Sequence, residues 1–346
     1  MTEPQLSITH LQVLQTRAGY TAHFMEVELW TPVIQAICTG VGLECRQIRA
    51  GTAGTFPVFL LDDRYVIKFF GPLFEGRRSA RVEMAVDASL AAQPGLAVAR
   101  ILFSGQVPGT ESEWQYLIYN LIRGNSYRDD RSRISQENQL NIARQLGQMM
   151  RRFHSLPVPQ EPADVFPVEC SAYQARLHGW FSSRLQAVDG PLYARLGLPA
   201  HLATQAEGYL ARNAQPPADD PLHLIHADLT ADHLLGEFEG GEWHINGLID
   251  MGDCMTGDLY YELAALFLDL FSADKSLLSV FLNSYGFPED LLPAFPQRCL
   301  CAALQHQFNV FSPLFENQPA LAQAPNLDHL AQWVWGLSSP FSASHT

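Results

Sequence analysis

Residues 224–235 read Leu-Ile-His-Ala-Asp-Leu-Thr-Ala-Asp-His-Leu-Leu and contain the strongest functional signal in the chain. Two apolar dipeptides, at 224–225 and 234–235, enclose a polar loop that carries two histidines and two aspartates. This pattern predicts a buried strand, an exposed loop and a second strand. We therefore expect the chemistry of the protein to be concentrated in this loop.

The chain after the loop predicts a β-hairpin that ends in further carboxylates. Residues 236–249 are consistent with two strands that turn at Gly240-Gly241, and Asp250-Met-Gly-Asp253 follows them. Because a strand out and back returns the chain to its starting level, we expect Asp250 close to the loop that carries Asp228. Two such carboxylates suit a metal–phosphate site, since one can accept a proton from an attacking hydroxyl while the other holds Mg²⁺.

The pattern H-x-D-x-x-x-x-(N/H), a hairpin and I-D-x-x-D resembles the catalytic and metal-binding loops of aminoglycoside phosphotransferases, which share the protein-kinase fold. The resemblance implies that Asp228 is the catalytic base and Asp250 the metal-binding aspartate. His233 occupies the position of the usual metal-binding Asn. Mg²⁺ prefers oxygen ligands, so this histidine could bind Mn²⁺, act without touching the metal, or signal weakened catalysis.

Residues around this loop have expected supporting or substrate-binding roles. The resemblance implies that His226 packs beneath the loop, and Asp258 is expected to cap the helix predicted over residues 259–270 and to brace the loop. Asp253 is a candidate for contact with a substrate amine or a second metal. Glu262 is expected on the solvated face of its helix, where it is a further candidate for substrate contact.

Upstream segments continue the resemblance in the same order. Val66-Ile-Lys68 resembles the strand lysine that contacts the α- and β-phosphates of the nucleotide, and Glu83 on the next helix matches its ion-pair partner. The chain contains only two lysines, Lys68 and Lys275, against twenty arginines, which makes a lysine within a predicted strand notable. Tyr116–Ile122 resembles the hinge strand of a kinase. The remaining residues that the resemblance assigns to the nucleotide are Gly51, Thr52, Gly54 and Thr55 of a phosphate-covering loop and the backbone of Asn120 and Ile122.

Within the aminoglycoside phosphotransferases, the similarity is greatest to the hygromycin B 7''-O-kinases. It includes Glu28-Leu-Trp30, the segment 66–71, and the C-terminal segments 306–311 and 330–336. The chain departs from the pattern at Gln307, Asn309 and Ser312, where those kinases carry carboxylates. This departure weakens the case for the same substrate.

Composition limits the classes of function. The chain has 346 residues, of which 47% are hydrophobic and 17% charged, and its formal net charge is −14. An acidic balance disfavours nucleic-acid binding and favours a cationic small molecule. The six cysteines form no C-x-x-C pair, no apolar run is long enough for a membrane span, and the first residues contain no basic segment before an apolar stretch. We therefore expect a cytoplasmic protein with reduced thiols that is a monomer or a weak dimer.

Together, these features predict an α+β, protein-kinase-like fold with two lobes. Residues 1–122 are expected to form a small N-terminal lobe with an antiparallel sheet, and residues 123–346 a larger, mostly helical lobe with the catalytic hairpin. The expected activity is transfer of phosphate from ATP, or from GTP, with Mg²⁺ or Mn²⁺, to a hydroxyl of an aminoglycoside such as hygromycin B, which confers antibiotic resistance. The alternatives are a kinase of another small alcohol, such as choline, homoserine or a sugar-like metabolite, and a nucleotide-binding pseudokinase without turnover.

Overall fold

The computed structural model describes residues 8–52, 54–110, 113–214 and 222–337. The chain forms two compact units. The first unit extends to Ala91 and also contains Ala97–Arg123 and Leu248–Gly252, and the second contains Ala92–Leu96, Gly124–Gly247 and the chain from Asp253 onward. The lobe boundary expected after residue 122 stays a prediction.

The first unit is built on a five-stranded sheet in the order β1-β2-β3-β5-β4, and all of its strand pairs are antiparallel. A 3-10 helix over Ile8–Gln15 precedes its first α-helix. The elements in chain order are α1 (Arg17–His23), α2 (Val27–Val41), β1 (Ile48–Ala50), β2 (Val58–Leu61), β3 (Tyr65–Phe70), α3 (Gly76–Leu90), β4 (Ile101–Gln106) and β5 (Gln115–Asn120).

Strands β2 and β3 form an antiparallel hairpin. Its turn places Asp62 and Asp63 at φ values of 51° and 52°, and left-handed residues at both turn positions match the right-handed twist of the strands. Side chains alternate along β3, so Ile67 and Phe69 join the cluster that includes Trp30 of α2. The intervening residues of β3 consequently face the opposite side of the sheet, toward α3.

The second unit is mostly helical. It contains β6 (Asn125–Ser126), β8 (Leu234–Glu239) and β9 (Glu242–Leu248) in one small sheet, and β7 (His223–Ile225) paired with β10 (Met255–Gly257) in another. Its helices are α4 (Tyr127–Asp130), α5 (Gln136–His154), α6 (Cys170–Gln186), α7 (Leu192–Leu196), α8 (Ala200–Ala203), α9 (Ala206–Asn213), α10 (Leu259–Ala265), α11 (Lys275–Tyr285), α12 (Phe295–Gln305), α13 (Phe311–Asn317) and α14 (Leu327–Trp335).

Two local features of the second unit are a β-hairpin with a glycine turn and a π-turn at the end of a helix. The predicted hairpin is confirmed as β8 and β9, and Gly240 and Gly241 form its turn at φ values of 61° and 92°. The helix predicted over residues 259–270 consists of α10 followed by one turn of π-helix over Leu266–Leu270. A π-turn shifts the direction of the side chains that follow it, and such turns occur frequently at functional sites.

Candidate active site

The lysine of β3 lies inside the first unit between two carboxylates. Lys68 Nζ is 2.7 Å from Glu83 Oε1 and 2.7 Å from Asp250 Oδ1, and only 7% of the lysine is exposed. Lys68 shares a strand face with Phe70, which packs against Ala80 of α3, and the same helix carries Glu83. The structure thus brings together three residues that the resemblance assigned to the nucleotide and the metal.

The electrostatics of this cluster favour a charged lysine. Burial alone would lower the pKa of Lys68, but the carboxylates of Asp250 and Glu83 outweigh that effect and raise it. Burial raises the pKa of Glu83 against the opposing influence of Lys68, and Tyr119 Oη donates a hydrogen bond to Glu83 Oε2 at 2.5 Å. Two carboxylates surround one ammonium group, so the cluster has a formal surplus of one acidic group, which suits the addition of a cation.

Asp250 combines a strained backbone with an accessible carboxylate. Its φ of 66° lies in the left-handed region, which costs a non-glycine residue roughly 1–3 kcal/mol. Its side chain is 39% exposed. Two residues later, a Cβ at Gly252 would lie 3.2 Å from Glu83 Oε1 and 3.6 Å from Asp250 Oδ1, so a side chain there would crowd both carboxylates.

The predicted phosphate-covering loop connects β1 and β2 at the edge of the sheet. Gly51 donates its amide hydrogen to Val58 O, and a Cβ at Gly51 would lie 2.9 Å from a methyl group of Val58. Thr52, Gly54 and Thr55 are exposed, and Tyr20 Oη donates to the carbonyl of Thr55 at 2.7 Å. Ala53, at the centre of the quoted loop, lies outside the described residues. The loop is accessible to a ligand, and its contact with phosphates stays a prediction.

The predicted hinge is the end of β5. The amide of Asn120 donates to the carbonyl of Arg100 at 3.2 Å, and its side-chain Oδ1 accepts a hydrogen bond from the amide of Arg100 at 2.7 Å. Contact between Asn120 and an adenine would therefore use the carbonyl of Asn120 and not its amide. Ile122 is partly buried, and its role at the hinge also stays a prediction.

The loop after β7 has the features expected of a positioned catalytic loop. Asp228 keeps 20% of its side chain exposed, whereas His226 is fully buried and stacks on His233 with 5.7 Å between the ring centroids. His233 Nδ1 lies 2.6 Å from the carbonyl oxygen of Asp228. A carbonyl only accepts, so Nδ1 carries the hydrogen and Nε2 carries the lone pair of the neutral ring. The imidazole is consequently bound to the same loop as the carboxylate of Asp228.

The expected solvent-facing position of Glu262 is wrong. The residue is fully buried, and Glu262 Oε2 accepts hydrogen bonds from the amides of His226 at 2.6 Å and Ala227 at 3.4 Å. Burial alone would raise the pKa of Glu262, but hydrogen bonding and charge from His154 and His226 outweigh that effect and lower it. The burial of Glu262 disfavours contact with a substrate, and its hydrogen bonds to the two backbone amides support the loop after β7.

Two further residues that support this loop were missed by the sequence reading. His306 Nε2 lies 3.0 Å from the carbonyl of Ala227. Asp269, on the π-turn after α10, accepts a hydrogen bond from the amide of Ala231 at 2.8 Å and pairs with Arg128, which also binds Asp232. The run Leu259–Leu270 is apolar on all sides of a helix, which indicates a buried helix whose carboxylates must find internal partners. That signal was present in the sequence.

The remaining predicted residues lie in the second unit. Asp258 caps α10, and its side chain accepts a hydrogen bond from the amide of Tyr261 at 2.9 Å, as predicted. Asp253 is partly buried and accepts a hydrogen bond from Gln307 Nε2 at 3.2 Å. Gln307, where we expected a departure from the hygromycin B kinases, thus contacts the carboxylate that was a candidate for a substrate amine.

The donors available to a divalent cation are those of a kinase-type site. Among the described residues, no group of three or more His, Cys, Asp and Glu side chains could hold a metal ion. Mg²⁺ in phosphoryl-transfer enzymes usually binds one or two carboxylates together with phosphate oxygens and water. The partly exposed carboxylate of Asp250, in a cluster with surplus negative charge, fits that requirement.

An antiparallel-sheet unit that carries a Lys–Glu pair and a mostly helical unit that carries a histidine–aspartate loop make up a protein-kinase-like fold that matches the aminoglycoside phosphotransferases. Residues 44–296 match the Phosphotransferase enzyme family, and the chain belongs to that family. The structure of the GDP complex of wild-type aminoglycoside 2'-phosphotransferase-IIIa is similar with a TM-score of 0.65 and 16% identity, covering 89% of this chain and 98% of that one. A thermostable mutant of aminoglycoside phosphotransferase APH(4)-Ia is similar with a TM-score of 0.53 and 18% identity, covering 88% of this chain and 99% of that one.

A curated relative is much longer than the region it shares with this chain. The match to lysine-specific demethylase JMJ21 of Arabidopsis thaliana is 23% identical over 290 residues and covers 66% of this chain but only 29% of the relative. In the part of the chain that the structure describes, no helix has the length and apolar character needed to cross a membrane.

Proposed function

We propose that this protein transfers the γ-phosphoryl group of ATP or GTP to a hydroxyl group of a small molecule. The observation that carries the proposal is the position of Lys68 Nζ, buried at 2.7 Å from both Glu83 and Asp250. A lysine that served only packing would not require, next to its buried ammonium group, an aspartate with a left-handed backbone and a partly exposed carboxylate. A lysine that binds nucleotide phosphates requires a partner to orient its ammonium group, which Glu83 provides.

In the proposed reaction the acceptor oxygen forms a bond to the γ-phosphorus, and the bond from that phosphorus to the β,γ-bridging oxygen breaks. The nucleoside diphosphate leaves with the bridging oxygen, and the proton of the hydroxyl passes to the carboxylate of Asp228. Lys68 would stabilise negative charge on the phosphates. Asp250 would hold Mg²⁺, with the assistance of His233, and the metal would neutralise charge on the phosphate oxygens when bound.

The acceptor proposed from the sequence is an aminoglycoside of the hygromycin B type, and the net charge of −14 supports a cationic acceptor. Solved relatives include the GDP and kanamycin complex of APH(2")-IIia and the gentamicin complex of APH(2")-IIa. A second candidate is a small alcohol with fewer amines. It is favoured by the burial of Glu262 and by the contact of Gln307 with Asp253, because both reduce the carboxylate surface for a polycation.

A coupled assay of nucleoside diphosphate release tests the reaction. The acceptors would include hygromycin B, kanamycin, choline, homoserine and simple sugars, with ATP and GTP in parallel. Asp228→Asn serves as the matched control because it keeps the size of the side chain and removes the proton acceptor. We expect it to lower turnover about 10²–10⁴-fold while calorimetric nucleotide binding is retained. A variant with more than half of the wild-type rate would exclude Asp228 as the base.

A further inference from the structure

Ala227, immediately before Asp228, has a backbone conformation that its side chain does not favour. Its φ is 67°, in the left-handed region, and the residue is completely buried. Non-glycine residues persist in this region only when their surroundings hold them there. The contacts of the two peptide groups on either side of Ala227 therefore determine how Asp228 is presented.

Those two peptide groups are bound from opposite ends. The amide of Ala227 belongs to the peptide that precedes its Cα, and it donates to Glu262 Oε2 at 3.4 Å, beside the shorter bond from His226. The carbonyl of Ala227 belongs to the peptide that joins it to Asp228, and it lies 3.0 Å from His306 Nε2. Because one contact orients each peptide plane, the pair fixes both backbone dihedrals of Ala227.

The protonation state of His306 follows from its own two contacts. A carbonyl can only accept a hydrogen bond, so Nε2 donates to Ala227. The amide of Phe308 donates to Nδ1 at 3.2 Å, so Nδ1 carries a lone pair. Both ring nitrogens of a neutral imidazole are thereby satisfied. The ring is fully buried and stacks on Tyr261, with 4.5 Å between centroids and 22° between planes.

We propose that His306 is a positioning residue for phosphoryl transfer, which sets the orientation of Asp228 by holding the carbonyl of Ala227. The contact comes from the C-terminal end of α12, far from the catalytic loop in sequence. This positioning role rests on the proposed function, because it concerns the placement of Asp228, the residue that accepts the proton. Glu262 on α10 holds the other side of the same backbone segment, because its carboxylate accepts the amide hydrogen of His226.

Burial and the amide of Phe308, which donates to Nδ1, favour the neutral ring of His306 with its hydrogen on Nε2. Arg184 and Glu262 exert opposite electrostatic influences on it, and Tyr261 contributes an aromatic face whose hydroxyl accepts a hydrogen bond from the amide of Gln307 at 2.9 Å. A charged imidazolium would carry a hydrogen on Nδ1 and would oppose the amide of Phe308. The donor to Ala227 is thus maintained by contacts on every side of the ring.

Two substitutions of similar size separate positioning from packing. In His306→Gln the amide nitrogen lies at about the reach of Nε2 and can still donate to Ala227, whereas in His306→Asn the side chain is too short. We expect His306→Gln to keep kcat within about fivefold of wild type. We expect His306→Asn to lose about 100-fold in kcat, since misplacement of a reacting group by about 1 Å has that effect. KM for the nucleotide should change less than threefold in both.

Leu300→Val provides the control for stability, because Leu300 is a fully buried residue of the same helix and its apolar side chain cannot hydrogen-bond to the loop. It should lower the melting temperature and leave kcat unchanged below that temperature. A folded His306→Asn variant with kcat within threefold of wild type would overturn the proposal. So would equal losses in the Gln and Asn variants, since packing alone would account for them.

The test also separates this inference from the proposed function. If Asp228→Asn stays active, the proposed function fails; if it is inactive while His306→Asn keeps its kcat, only the positioning role fails. If neither His306 variant folds, Glu262→Gln is the alternative variant. It weakens the hydrogen bond to the amide of Ala227, on the side opposite to the carbonyl that His306 contacts. A kcat that is unchanged in a folded Glu262→Gln variant would then count against the arrangement, and a reduced kcat at constant nucleotide KM would support it.

Discussion

At the scale of single residues, Lys68 shows how a charge is retained within an apolar sheet. Its ammonium group lies between two carboxylates and also over the rings of Phe56 and Phe70, at 5.5 and 5.2 Å from their centroids. The aliphatic part of the Lys68 side chain is thereby packed, while its ammonium group keeps a full charge. The position suits a compact ammonium and leaves little room for a planar guanidinium.

Lys68→Met tests this interpretation because methionine fills the volume of the stem and removes the charge. We expect calorimetric affinity for the nucleotide to fall at least tenfold, while the circular dichroism spectrum of the protein stays unchanged. Lys68→Arg is the matched variant, since it keeps the charge and changes the shape. It should not restore turnover, and full activity of Lys68→Arg would show that only the charge at this position matters.

His233 occupies the position at which the motif resembled by this loop usually carries an asparagine. Its Nδ1 binds the carbonyl of Asp228 in the same loop, a contact that the side-chain amide of asparagine could reproduce. We expect His233→Asn to keep the metal preference of the wild type and activity within about tenfold, equivalent to ~1.4 kcal/mol. Turnover would be measured with Mg²⁺, Mn²⁺ and Co²⁺ in parallel. A change from Mn²⁺-dependent to Mg²⁺-dependent turnover would instead identify His233 as a direct metal ligand.

At the scale of elements, α10 and α12 hold the catalytic loop with buried titratable groups, which makes the stability of the second unit dependent on pH. Burial lowers the pKa of His306 to about 4, although the hydrogen bond to Ala227 opposes the shift. An unfolded histidine has a pKa of about 6.5. Between these two values the unfolded chain binds the additional proton, so stability falls as the pH decreases from about 6.5 to 4.

The expected loss across this interval is on the order of a few kcal/mol. Urea unfolding at pH 7, 6 and 5 measures it, with His306→Gln as the control because glutamine does not titrate. The midpoint for the wild type should decrease more steeply with falling pH than the midpoint for His306→Gln. Glu262 does not account for this difference, since its pKa is lowered and its contribution is lost only below its ordinary range, about 4.5. Parallel pH profiles for the two proteins would show that His306 is not the titrating group.

The same elements show what the sequence could and could not predict. Periodicity and turn residues were sufficient for the hairpin β8–β9 with its turn at Gly240-Gly241, because a tight hairpin depends on local backbone preferences. The support of the catalytic loop by Glu262 and His306 depends on contacts between segments distant in sequence. A solvated position for Glu262 requires that α10 be a surface helix, whereas the apolar residues on all sides of this helix indicate burial.

At the scale of the whole molecule, the excess of acidic over basic residues gives a formal net charge of −14. A negative field raises the local concentration of a cationic acceptor and increases its rate of association. Added salt shortens the distance over which exposed charges act, from about 10 Å at 0.1 M to about 3 Å at 1 M. Electrostatic steering acts before the acceptor is bound, so ionic strength should affect the capture of the acceptor more than its turnover.

We therefore expect kcat/KM for a polyamine acceptor such as hygromycin B to fall about tenfold between 20 and 500 mM potassium chloride, within the range reported for electrostatic steering. The value of kcat at saturating acceptor should change less than twofold. Sucrose at matched osmolality controls for water activity, and an uncharged sugar alcohol measured in the same buffers provides the neutral comparison. If KM for the polyamine does not change with salt, the overall charge of the protein makes no contribution to acceptor binding. A neutral or singly charged acceptor would then be the better candidate, in agreement with the burial of Glu262 and the contact between Gln307 and Asp253.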